Sequence, residues 1–144
     1  MIIGNPAAKR CVYLPHSPNI PDGWQYKQQN AMEHLLEVNS NHWRKIFVIS
    51  AKIFCDDADE WRSYLRQNLL HSVCFYTDEQ QLNTTADVIL LSGKEIAQRL
   101  LPDTNPSVLN DKILRLGEHC WQLPYFDYRQ FPNQLIADFR QCLI

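Results

Sequence analysis

The chain has 144 residues, 45% of them hydrophobic, and a formal net charge of −2. That length suits one ordinary domain with a real core, and the charge balance gives no sign of tight, non-specific nucleic-acid binding. No apolar run reaches the roughly 18–20 residues of a membrane span, and the start lacks the basic, then long apolar, pattern of a signal peptide.

The five cysteines are odd in number, widely spread and without a C-x-x-C pair. Neither a zinc site nor a disulfide framework is indicated, and a cytoplasmic setting with reduced thiols is expected.

In chain order, residues 1–8 read as a loose leader, and Cys11–Leu14 as a short strand stopped by Pro15. The proline-dense stretch from Pro15 to Gly23 must be extended or turning. Residues 1–23 are therefore expected to form an extended N-terminal segment, with 24–144 as a single α/β domain. A helix is expected from Trp24 to about Val38, with Ala31, Met32, Leu35 and Leu36 as its stripe and Asn39-Ser40-Asn41 closing it. Lys45–Ser50 (KIFVIS) is β-rich and reads as a buried strand. Asp56–Glu60 then opens a helix, with Asp57 and Glu60 at capping-box spacing.

Val73–Tyr76 is the next strand. Val88–Leu91 is a continuous apolar run, short enough for a strand buried on both faces. Ser92-Gly93 punctuates it, and Ile96, Ala97, Leu100 and Leu101 then form a helical stripe ended by Pro102. Residues 102–110 are loop, and Ile113–Leu116 and Cys120–Leu123 are short strands. A last helix begins near Pro132 and buries Leu135, Ile136, Phe139, Cys142 and Leu143. This order predicts a three-layer α/β/α sandwich around a mainly parallel sheet.

The candidate chemistry is sparse. Asp56, Asp57, Asp59 and Glu60 could hold a divalent metal or act as acid and base, in a small hydrolase or nucleotide-binding domain. The simpler reading is favoured, since no second carboxylate cluster comes from another strand end: acids at a helix start satisfy orphan amides and complement the dipole. Ser92-Gly93-Lys94 has one glycine where a P-loop needs two. The histidines share no ligand spacing, so no catalytic residue, metal ligand or cofactor is assigned. The aromatics Tyr13, Trp24, Tyr26 and Trp43 flank the proline-rich segment and would suit either a protein-binding surface or a cap on the sheet.

The run Val88–Gly93, then Trp121-Gln122-Leu123-Pro124-Tyr125-Phe126, then Pro132 followed by Ala137 and Phe139, resembles the psi subunit of the bacterial DNA polymerase III clamp-loader complex. In that family an apolar strand ends in a turn, a later strand closes near a proline, and a proline starts the final helix. An alanine and an aromatic then sit five and seven residues beyond that proline. Lys45–Ser50 and Asp57–Leu70 are expected to supply the family's first strand–helix unit, so the resemblance spans residues 45–144.

Residues 1–43 depart from the family's usual N-terminal segment. The resemblance implies a non-catalytic adaptor that bridges the clamp-loader ATPase and a chi-like subunit, which contacts single-stranded-DNA-binding protein. DNA contact would be indirect at most. Val12, Tyr13, Leu14, Trp24 and Tyr26 are the expected partner-binding residues. The implied fold is similar to a reduced uracil-DNA glycosylase. An active glycosylase would need a histidine motif after a late strand, and Leu123-Pro124-Tyr125 has none.

Overall fold

The computed structural model describes residues 1–83 and 85–144. In chain order the elements are β1 (Ile2–Gly4), β2 (Arg10–Leu14), α1 (Ala31–Glu37), α2 (Asn41–Phe54), a 3-10 turn at Ala58–Glu60, α3 (Trp61–Gln67) and α4 (Leu69–Ser72). They continue with β3 (Cys74–Thr77), β4 (Val88–Ser92), α5 (Lys94–Leu100), β5 (Ser107–Val108), β6 (Leu114–Arg115), β7 (Cys120–Leu123) and α6 (Asn133–Cys142). The chain forms two compact units, residues 1–17 with 72–125, and residues 18–71 with 126–144.

The first unit is a seven-stranded sheet in the order β1-β3-β2-β4-β7-β6-β5. The strands β3, β2, β4 and β7 run parallel, while β1 at one edge and β6 and β5 at the other pair antiparallel. The sheet is thus mixed, with a parallel centre. Val12 lies opposite Phe75 on one side and Leu90 on the other. Cys11, Tyr13, Cys74, Ile89 and Leu91 bury one face of the sheet with Ile96 and Ala97 of α5. Val12, Leu14, Phe75 and Leu90 alternate with them and are fully buried too, so the central strands are covered on both faces.

Residues 1–8 are not a loose leader, because Ile2–Gly4 pairs with β3 and the N-terminal ammonium donates to the Thr77 carbonyl at 3.0 Å. A three-residue edge strand is too short to leave a period in the sequence. Cys11–Leu14, expected within the extended segment 1–23, is instead a strand of the sheet, since β2 is hydrogen-bonded to a parallel strand on each side.

The second unit is helical. Lys45–Ser50, expected as a strand, lies inside the fourteen-residue helix α2. Its β-branched and aromatic side chains occupy a helical stripe that begins before the window and runs past it, through Trp43, Ile46, Phe47, Ser50 and Phe54. Packing of α2 against α1, α3 and α6 outweighs a β-propensity spread of only about 1 kcal/mol. Ser50 resolves its buried hydroxyl by donating to the Ile46 carbonyl one turn back, at 2.8 Å.

The helix expected from Trp24 begins only at Ala31. Asn30 before it is left-handed, with φ 58°, and the chain from Pro21 to Gln28 is spent in two turns. Its expected end holds, because Asn39 Nδ2 donates to the Leu35 carbonyl at 2.8 Å.

Candidate docking surface

In the first unit the carboxyl ends of the parallel strands gather polar groups, the position where open α/β sheets commonly place a site. Strand β2 runs out into Pro15-His16-Ser17, β3 into Asp78, β4 into Gly93, and β7 into Pro124-Tyr125. Gly93 has φ 97°, and a Cβ there would sit 3.4 Å from the Tyr125 side chain. The bare glycine therefore lets Tyr125 pack on the strand end, where its hydroxyl meets His16 Nε2 at 2.9 Å. Ser17 Oγ is 2.7 Å from Thr77 Oγ1. Arg99 donates to the Pro15 carbonyl at 3.2 Å and to Asp78 at 3.0 Å. These groups tie three loop ends together. Ser17 and Asp78 are each engaged in that bracing, as is the guanidinium of Arg99.

The buried thiols of this unit are poor nucleophiles. Burial pushes Cys11 up to about 12 and Cys120 to about 11, and it raises Cys74 as well. Tyr13 and Tyr76 stack with centroids 4.7 Å apart, and Tyr13 accepts the Asn83 amide at 2.6 Å.

The second unit carries the more open surface. Two adjoining concavities of about 230 and 250 Å³ flank the start of α6 and share Lys52, Asn133 and Ile136. Trp61 and Arg140 line one of them, and Tyr128 and Pro132 line the other. The Lys52 ammonium stands 4.9 Å from the Trp61 ring and 5.8 Å from that of Tyr128, and Arg62 lies 4.5 Å over Trp61. Burial first, and then the Arg62 charge, hold the Lys52 ammonium below its usual value. Lys52 also donates to Asn133 at 3.0 Å. Beside it, the Arg129 amide holds the Asp127 carboxyl below its ordinary range, an effect that burial opposes and the Lys45 ammonium reinforces.

Arg140 is the side chain that composition did not flag. Its Nη1 donates to the carbonyls of Lys52, Ile53 and Cys55 at 2.9, 3.0 and 2.8 Å, and so closes the carboxyl end of α2 from α6. The helix leaves those carbonyls without backbone partners, and a cation there also complements the helix dipole. No local pattern links residues this far apart in the chain.

The residues expected to bind partners divide between the two units. Val12, Tyr13 and Leu14 are enclosed in β2, at most 1% exposed, so contact through them would require the strand to leave the sheet. Trp24 and Tyr26 are half-buried in the second unit. Trp24 Nε1 donates to the Ala31 carbonyl at 2.8 Å, and Tyr26 meets His71 edge-on at 5.5 Å. The acidic cluster Asp56, Asp57, Asp59 and Glu60 is exposed. Asp57 caps the 3-10 turn by accepting the Asp59 amide at 2.9 Å. Among the described residues no group of three His, Cys, Asp or Glu side chains is arranged to hold a metal ion.

Fold and surface together define a mixed α/β protein whose second unit presents an aromatic and cationic face. A family model matches residues 1–144, and the chain belongs to DUF6942, a family of unknown function. No curated protein and no solved structure matches it. Among the described residues no helix is long and apolar enough to cross a membrane.

Proposed function

We propose that the protein is a non-catalytic, cytoplasmic adaptor similar to the psi subunit of the bacterial clamp loader. In this reading it bridges a clamp-loader ATPase subunit and a chi-like partner of single-stranded-DNA-binding protein. The observation that carries the reading is the paired concavity at the start of α6. Pro132 and Ala137, which take part in the resemblance, line it beside Lys52, Trp61 and Tyr128. Trp, Tyr and Arg are the side chains that most often anchor protein–protein contacts.

The fold in this reading is a three-layer α/β/α sandwich, similar to a reduced uracil-DNA glycosylase. The four adjacent parallel strands and the burial of β2 and β4 on both faces support it. The expected strand–helix unit at Lys45–Ser50 drops out of the comparison, because that stretch is helical. The support lies in residues 88–139.

The test is reconstitution from purified parts. The chain, the clamp-loader ATPase and a chi-like subunit of the same organism should co-elute on size exclusion. A folded Lys52→Glu, Tyr128→Ala variant should lose one of the two partners. Three separate peaks from the wild-type mixture would overturn the reading.

A further inference from the structure

The three helices α1, α2 and α3 of the second unit enclose a groove of about 520 Å³ that the adaptor reading leaves unassigned. Its floor is apolar, made by Met32 and Leu36 of α1 and Leu65 of α3. Its rim carries Arg44, Arg62 and Arg66, all exposed. Arg44 and Arg66 make no ion pair among the described residues, and Arg62 is placed only against the Trp61 ring. Glu33 and Glu37 stand on the α1 side, so the rim holds three cations against two carboxylates. Glu33 Oε2 is enclosed yet has no hydrogen-bond partner among the described residues. A buried acceptor left unmade costs about 1–3 kcal/mol, more than an ordinary hydrogen bond gains.

Two demands therefore converge on one occupant. The exposed guanidiniums without ion pairs suit carboxylates, and the floor suits an apolar side chain. A polypeptide supplies both within a few residues. A nucleic acid strand fits less well, because its bases need an open aromatic face to stack on. The indole that could stack a base already has Arg62 at 4.5 Å and Lys52 at 4.9 Å.

We propose that this groove docks a short acidic peptide segment of a partner protein. An apolar residue of that segment is seated on Leu36 and Leu65, and its carboxylates pair with Arg62 and Arg66. This groove shares Trp61 with the concavity at α6, but its apolar floor and arginine rim are its own, and the proposal does not depend on the replication reading.

The test titrates the full chain against three labelled probes, read by fluorescence anisotropy. The first is a short peptide with a Leu-Phe pair flanked by aspartates, the second the same peptide with lysines for the aspartates, and the third an oligothymidylate. The aspartate peptide alone should bind, more weakly as salt rises. Arg66→Glu and Arg62→Glu, both at exposed positions, should each lower its affinity about tenfold, while Lys52→Glu at the other concavity should have a smaller effect. Failure of the aspartate peptide to bind, equal binding of either other probe, or indifference to both arginine changes would each overturn the proposal.

Discussion

Arg140 Nη1 donates to the Cys55 carbonyl at 2.8 Å, joining the last helix to the residue that ends α2. The same nitrogen reaches the carbonyls of Lys52 and Ile53. One side chain thus closes the helix that gives the second unit more buried hydrophobic residues than any other element. Arg140→Met should destabilise the protein by about 2–3 kcal/mol, the range of charge-assisted hydrogen bonds to buried acceptors. Arg140→Lys should recover only part of this, because its ammonium lies on a shorter stem than Nη1 and lacks the second nitrogen that reaches the Asp56 carbonyl at 3.3 Å. Denaturant unfolding of both variants checks the order.

Gly93 sits where left-handed backbone and close packing coincide. Gly93→Ala should cost about 1–3 kcal/mol, the usual range for a strained backbone position. Combining it with Tyr125→Gly, which removes both side-chain atoms at 3.4 Å, should not restore stability, since the φ of 97° remains. A thermal melt of the double variant distinguishes backbone strain from crowding.

The N-terminal strands are integral to the sheet, so removing residues 1–22 takes away β1 and the central β2. The truncated chain should lose its cooperative unfolding transition and most amide protection in β3 and β4. Loss of partner binding by such a truncation would then report unfolding, not a missing docking segment. Hydrogen exchange on the truncated chain checks this.

Alkaline pH should weaken the fold. Burial raises the Cys11 thiol from 9.0 to about 12, and burial likewise raises the Tyr76 phenol from 10.0 to about 12. Above their ordinary values the unfolded chain loses protons that the folded chain retains, so unfolding becomes more favourable as pH rises. Stability should be unaffected by these groups below about pH 9 and fall progressively towards pH 12. Denaturant midpoints across that range check the sign. At neutral pH the same thiols should resist alkylation until the chain is unfolded, since the thiolate is the reactive form.

Much of the first unit was legible in the sequence. Val88–Ser92 announces itself as a continuous apolar run, Gly93 as the turn, and Ile96 and Ala97 as the buried side of the helix, because each signal is local. The final helix was equally plain from Pro132 and the stripe through Ile136 and Phe139. Lys45–Ser50 misled because its four consecutive β-branched and aromatic residues, Ile46 to Ile49, look alike in a buried strand and in a buried helix. Only the flanking stripe and its helical neighbours decide between the two.

The candidate surfaces were less legible than the fold. Trp61, Tyr128 and Lys52 come from three separate stretches, and Arg62 and Arg66 of one helix line a groove with Glu33 of another. Sequence by itself determined the elements whose cause lies within a few residues: caps, turns, stripes and apolar runs. The tertiary structure alone decided that β2 is a central strand and that Arg140 closes a distant helix. It also decided which charges are left without partners. Burial and pairing depend on residues that composition and period cannot place side by side.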